Sequence, residues 1–333
     1  MKVLLHVLLL LFAFGFEAGA QDVKELQETA RTFMKQGDFP NAILVLNRAY
    51  AMEPGNLSVA KELAQANYYQ NDLPRALDLM KTIVDRDEAD DQSFQITGNI
   101  YKAQGNLKEA EKTYRKGLKK FPSSGALYND LGELMWAQKN YDAITQWEKG
   151  IATDPSFSRN YYNAARYYYF TPDKTWSLLY GEIFLNMEPF GTKSPEIKEI
   201  LLESYKKLFS EPDILASSKE TSAFGKAFLQ TMAKQGSLVA HGINADVLTM
   251  VRTRFILDWQ NELAKKFPYK LFEQHETMLK EGLFTAYNQW LFGAAQNLSG
   301  FQAWINAHPD EYAALTKFQR STVFKMPEKQ YYK

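Results

Sequence analysis

Along the first half of the chain, small residues return at a constant interval. Ala30, Ala64, Gly98 and Gly132 stand 34 residues apart, and Ala42, Ala76, Ala110 and Ala143 form a second series beside them. Around these positions apolar residues fall at helical spacing, as in Leu26, Ala30 and Phe33 and then Ala42, Leu46 and Ala49. The phrases "KQGDFPNAI", "YQNDLPRAL", "AQGNLKEAE" and "AQKNYDAIT" occupy equivalent places between the two series. Each carries Gly or Asn, which tolerate the positive φ that ends many helices. Pro54, Pro122, Pro155 and Pro189 close the units, with Glu88 where one proline is missing. Proline cannot continue a helix and so sets a boundary. Two helices approach closely only where small side chains meet, so the Ala/Gly columns mark the crossings in a stack of helical hairpins.

"YKAQGNLKEAEKTYRKGLKKFP", Tyr101 to Pro122, resembles the tetratricopeptide repeat (TPR) family closely, and the resemblance spans about Val23 to Pro189. Four repeats are clear, although the second lacks its proline and the fourth loses one residue between its helices. A fifth, Phe157 to Pro189, is degenerate: Arg166 stands where a small residue belongs and "TPDKTW" replaces the usual turn. After Pro189 the repeat fades and the helical pattern continues. Ser194-Pro195 opens a helix through Ile197, Leu201 and Leu208, Asn244 opens one through Val251 and Trp259, and Pro309 starts a last one. The fold expected is all-α: a TPR-type helical-hairpin solenoid over 21–189, followed by a helical C-terminal domain over 190–333.

The resemblance implies a binding surface lined by the first helix of each hairpin, where TPR proteins generally hold peptides or protein segments. Three columns recur on that face at 34-residue spacing. They are Gln27, Lys61, Gln95, Asn129 and Asn163; Arg31, Gln65, Asn99, Glu133 and Tyr167; and Met34, Tyr68, Lys102, Trp136 and Phe170. An amide both donates and accepts, so the first two columns suit an extended peptide backbone, and the third offers flat rings to grip a side chain. Lys61, Gln65, Tyr68, Asn99, Lys102, Asn129 and Trp136 are the expected contacts. Solvated helix faces also carry Gln, Asn and Lys, and the rings could pack on the next repeat instead. The Lys, Arg and Asn set with which some TPR proteins capture a terminal carboxylate is not found, since Gln95 and Asn129 follow Lys61 and Glu133 lies beside them.

Composition bears on compartment and partners. Residues 1–20 have the layout of a secretory signal peptide: Lys2, an apolar run from Val3 to Phe16, and the small residues Ala18-Gly19-Ala20. The chain has no cysteine, which excludes disulfides, thiolate metal sites and the lipoprotein anchor, and favours an exported bacterial protein in the periplasm or at the cell surface. Lys+Arg and Asp+Glu balance at 39 each, removing the electrostatic case for nucleic acid or an anionic membrane.

Candidate chemistry is sparse. "FEQHETMLKEG", Phe272 to Gly282, begins like a zinc-peptidase helix, but the second histidine is missing because Leu279 holds its place. His275 falls on an apolar stripe with Leu271, Phe272 and Met278, so a core histidine with one hydrogen-bond partner is expected. No nucleophile elbow, phosphate loop or dinucleotide fingerprint is present, so no catalytic residue, metal or cofactor is expected. The competing reading is a hydrolase-like site in the C-terminal half, with the repeats recruiting substrate. "LFTAYNQWLFGAAQNLSGFQAW", Leu283 to Trp304, is apolar on more than one helical face. It suits a central buried helix, or else an exposed docking surface that could also drive self-assembly.

Overall fold

A computed structural model describes residues 22–211, 213–321 and 323–333. The signal-peptide segment lies outside the described residues. Among the described residues every regular element is a helix, and the chain divides into two compact units, one ending at Leu134 and one beginning at Met135.

In the first unit, helices pair as α1 (22–36) with α2 (Phe39–Met52), α3 (Leu57–Tyr69) with α4 (Leu73–Met80), and α5 (Asp91–Ala103) with α6 (Leu107–Lys120). The helix α7 (Gly125–Ala137) follows, and the division between the units falls in its last turn. Ala30, Ala64, Ala42, Ala76 and Ala110 are fully buried, and Gly98 is buried with them. Around them Leu46, Leu63, Met80, Ile96 and Ile100 form an apolar core. A Cβ on Gly98 would overlap the ring of Tyr114, itself buried and held through its hydroxyl to Asn99 Oδ1 at 2.9 Å.

The turns repeat as closely as the crossings. Gly37, Asn71, Gly105 and Lys139 all have positive φ, at 75°, 67°, 75° and 59°. The next residue in the first three is Asp38, Asp72 or Asn106, whose side chain accepts from the backbone N–H three residues on and so caps the second helix. In the fourth turn the positive φ falls on Lys139, and Asn140 accepts from Asp142 N at 3.0 Å, so the next helix begins late, at Ala143. The helix α4 is only 8 residues long against 14 for α2 and α6. It ends before Thr82-Ile83-Val84, a β-branched run that loses rotamer freedom in a helix and here forms a tight turn over Ile83–Asp85.

The second unit contains α8 (Ala143–Thr153), α9 (Ser158–Tyr169), α10 (Thr175–Met187), α11 (Ser194–Ser210), the short α12 (Ile214–Ser217) and α13 (Ala223–Ala233). Then come α14 (Ala245–Glu262), α15 (Lys270–Lys280), α16 (Phe284–Asn288), α17 (Ala294–Gln296), α18 (Leu298–Ala307), α19 (Pro309–Ser321) and an irregular segment over 323–333. Helix α10 is buried from Thr175 through Leu185 on every face, as a helix apolar all round must be. Aromatic rings fill the space beside it: Phe224 lies 5.3 Å from Trp259 and 4.8 Å from Tyr269, and Phe272 lies 4.9 Å from Trp259.

The stretch from Leu283 to Trp304 is not one helix. A π turn over Gln289–Gly293 and a cap at Asn297 break it. Phe284, Tyr287, Trp290 and Phe292 are buried, whereas α18 buries no residue and leaves Leu298 59% exposed. The first half is buried as expected, though not as one helix, and the second half is exposed.

Two substitutions test the hairpin geometry by urea unfolding. Gly98→Ala adds helix propensity but forces a methyl into the Tyr114 ring, so a loss of about 1–3 kcal/mol is expected. Lys139→Gly relieves an L-residue of the left-handed region, so a gain of about 1 kcal/mol is expected. Opposite signs would refute the tight crossing and the backbone conformation respectively.

Candidate functional site: the first-helix face of the amino-terminal unit

The polar residues of α1, α3, α5 and α7 mostly face one another. From α1, Gln27 Nε2 donates to Ser58 Oγ at 3.0 Å and to Glu62 Oε1 at 3.1 Å, and Arg31 Nη2 reaches the same Glu62 oxygen at 2.6 Å. Lys61 Nζ pairs at 2.5 Å with Asp90, the cap of α5. Burial works to raise the Asp90 carboxyl, but Lys61 and the Ser93 hydroxyl and N–H outweigh it and hold its pKa below the ordinary value. Asn99 accepts from Tyr114 and donates to Asp130 at 3.3 Å, and Lys102 lies 4.0 Å from Glu133. Asn129 is fully buried, with its amide on Asp130 at 3.0 Å and Glu133 at 3.3 Å. Burial raises the Asp130 pKa, and hydrogen bonds from Asn129 and Gln95 offset this only in part.

Of the residues expected to contact a ligand, Lys61 and Gln65 share one groove, Asn99 and Lys102 reach from α5 to acids on α7, and Asn129 is bonded to the same two acids within α7. Tyr68 is half-buried, packed on the apolar core with its ring 5.6 Å from Tyr69. Trp136 lies in the second unit, its ring 5.5 Å from Tyr141 and 6.0 Å from both Trp147 and Tyr167. The acids Glu62, Asp90, Asp130 and Glu133 escaped the sequence reading as partners. Their signal was present: Arg31–Glu62, Asn99–Asp130 and Lys102–Glu133 are each separated by 31 residues, one repeat less one helical turn.

The groove lies between α1, α3 and the start of α5. It has a volume of about 460 Å³ and is lined by Arg31, Met34, Lys35, Ser58, Lys61, Glu62, Gln65 and Gln92. Arg31 and Lys61 are neutralised by their acids. The side-chain amides of Gln65 and Gln92 have no partner among the described residues. The groove can thus offer two free amides and a thioether beside one exposed ammonium, Lys35, which has no ion pair among the described residues.

The second unit holds a buried charged cluster. Glu182 Oε1 accepts from Arg252 Nη2, from His275 Nε2 at 2.7 Å and from Tyr287 Oη at 2.8 Å. Asn186 donates to Tyr287 Oη at 2.6 Å and accepts from Gln274 at 2.6 Å, while Arg252 Nη1 donates to Asn288. Glu182, Arg252 and His275 are all nearly inaccessible to solvent. Burial alone would raise the Glu182 pKa, but Arg252 and the donors around it bring it to about 2. Burial holds His275 below its ordinary value, so the neutral ring donates from Nε2 to Glu182. His275 is thus a core histidine, as its place on the apolar stripe predicts. The cavity beside it measures about 10 Å³, room for at most one water, so nothing of substrate size fits there. Among the described residues no group of three or more His, Asp or Glu could hold a metal.

Two tetratricopeptide-repeat family models match the chain, one over residues 33–96 and one over residues 97–156. Over 33–156 the chain is built of tetratricopeptide repeats. Its repeats make it a protein-interaction scaffold in the general sense, since TPR proteins typically bind protein partners and are typically non-catalytic. No curated protein matches the chain. Among solved structures, it is similar to a thermophilic TPR protein of Thermus thermophilus, with 15% identity over 56% of this chain and 98% of that one and a TM-score of 0.45. A TPR protein from Parabacteroides merdae shows 17% identity over 80% and 99% of the two chains, with a TM-score of 0.42. MamA from Desulfovibrio magneticus shows 14% identity over 51% and 97%, with a TM-score of 0.39. Scores this low carry no argument about ligand or role.

The buried cluster makes a signed pH prediction. Glu182 contributes stability that is present above its unfolded value of 4.5 and lost as pH falls toward 2. His275 must charge on unfolding below 6.5, which acts in the same direction. The melting temperature is therefore expected to fall with acidification below pH 6.5. Arg252→Met, which strands Glu182, is expected to cost about 3–5 kcal/mol at neutral pH in chemical denaturation and to flatten this profile. A neutral-pH loss under about 1 kcal/mol, by the same yardstick, would show the cluster to be solvated.

Proposed function

We propose that this protein is an adaptor or assembly scaffold of a bacterial cell envelope, binding an extended peptide or protein segment along its first-helix face. The groove between α1, α3 and α5 carries the proposal. Its volume of about 460 Å³ suits a few residues of extended chain. Gln65 and Gln92 supply amides that can pair with peptide N–H and C=O without reading sequence, and Met34 adapts to a varied side chain. The helices hold these groups in place before a ligand arrives, which lowers the ordering cost of binding. Lys61, Asn99 and Lys102 then act chiefly by tying neighbouring helices, with Tyr68 extending the surface.

The envelope location is supported by the signal-like residues 1–20 and the lack of cysteine. No helix among the described residues is long and apolar enough to cross a membrane. We take the repeats to extend to about Pro189, with the degenerate fifth formed by α9 and α10 and a C-terminal helical domain from 190 onward.

The test is affinity capture from an envelope extract with wild-type protein and a Gln65→Ala/Gln92→Ala variant, followed by calorimetry with the captured partner. The two amides hold nothing among the described residues, so the variant should keep its melting temperature. Its affinity for the partner is expected to drop by about tenfold or more. A partner held equally by both proteins would move the binding site off this groove.

A further inference from the structure

In the second unit, the ammonium of Lys333 sits between two carboxylates, 3.9 Å from Asp173 Oδ2 and 3.9 Å from Glu220 Oε2. Two ring faces complete the surround, Tyr168 at 5.2 Å and Trp176 at 5.4 Å from the nitrogen. Each wall is held by something other than Lys333. Glu220 accepts from the Trp176 indole N–H and, at 2.7 Å, from Ser222 N. Asp173 accepts from Thr175 N at 3.0 Å, and the Tyr168 hydroxyl donates to Glu148 at 2.6 Å. Glu148 is close enough to feel the charge of Lys333 and adds a third carboxylate. The neighbouring Lys174 directs its ammonium to the carbonyls of Tyr169 and Thr171. Two acids therefore flank one ammonium, and a third, Glu148, lies within its field.

We propose that this receptacle is a recognition site for a primary alkylammonium group, the side chain of a peptide lysine, which Lys333 fills in cis. The chemistry selects the ligand. Buried acids and aromatic faces together favour a cation. The ammonium stands equidistant from two separate carboxylates, and in each the other oxygen already accepts from a backbone N–H, of Thr175 or Ser222, which leaves neither free for a guanidinium fork, so a compact point charge fits better than arginine. The aliphatic stem of a lysine can lie on the rings while its head reaches the acids.

The segment over 323–333 is anchored independently of Lys333. Phe324 and Met326 are buried, Gln330 Oε1 accepts from Lys270 N at 2.5 Å, the Tyr332 hydroxyl donates to Pro268 O at 2.8 Å, and the Tyr332 ring stacks 4.7 Å from Phe224. Removing the Lys333 ammonium alone therefore empties the receptacle without releasing the segment. The experiment is a titration of the full-length Lys333→Met protein with n-butylammonium chloride, with n-butanol and sodium chloride as controls. Lys333→Gln provides a second emptied site. Both variants are expected to melt below the wild type and to regain stability saturably with butylammonium, while the controls and wild-type protein show no saturable response. Asp173→Asn in the Lys333→Met background is expected to weaken uptake about tenfold. Variants that lose stability without taking up butylammonium would reduce Lys333 to an intramolecular anchor and overturn the proposal. So would a response matched by butanol, or one unchanged by Asp173→Asn.

Discussion

The hairpins of the first unit depend on helices meeting where neither has room for a side chain much beyond a methyl group. At Gly98 even a methyl is excluded, because the Tyr114 ring already fills the place. Close approach of this kind does more than bury apolar surface. It sets which faces of α1, α3, α5 and α7 remain outside the core, and so determines that Gln27, Arg31, Lys61, Asn99 and Lys102 lie within reach of the next first helix. The turn residues serve the same constraint: a left-handed residue at 37, 71, 105 and 139 reverses the chain in the shortest distance, and the cap after it starts the returning helix.

Features that recur in the chain were legible, because each repeat imposes the same steric demand. The Ala/Gly columns, the turn phrases and the prolines each report a local rule, and each falls where its rule places it. The positive φ at Lys139 was not legible. Nothing in a lysine announces it, and only the register inherited from Gly37, Asn71 and Gly105 reveals it. The early end of α4 was readable in principle from Thr82-Ile83-Val84. For the candidate site the limit was different in kind. The polar columns were correctly placed on the first helices, but a column shows which residues share a face and not which neighbours they touch. Asn129 illustrates the gap: its place in the amide column suggested a free donor and acceptor, whereas Asp130 and Glu133 occupy it in a fully buried position.

This division of labour along the first-helix face has a physical cause. Charges facing one another across a narrow interval between helices must be paired or hydrated. The chain pairs them, so Arg31, Lys61 and Lys102 each have an acid in reach. What remains available to a ligand is mostly uncharged: Gln65, Gln92 and the Met34 thioether, beside the exposed ammonium of Lys35. Such a surface reads shape and backbone more than charge. That agrees with a chain whose net charge is zero and with the missing carboxylate-capturing set.

The second unit meets the opposite problem. Helix α10 is buried on every face yet carries Glu182, and an isolated carboxylate there would be untenable. Three helices contribute to its relief: Arg252 from α14, His275 from α15 and Tyr287 from α16. An apolar trio could fill the same volume at similar or lower cost in stability, because a buried ion pair regains in attraction little more than it loses in hydration. It would not demand the same register. Arg252 must reach Glu182 with one nitrogen and Asn288 with another, and His275 must present Nε2, so a shift of any helix by one residue breaks the set. The cluster therefore selects one packing of α10, α14, α15 and α16 among those that an aromatic-rich core, with its many interchangeable ring contacts, would otherwise accept. A histidine that looked in sequence like half of a metal site acts here as a register pin, and its chemistry serves the fold.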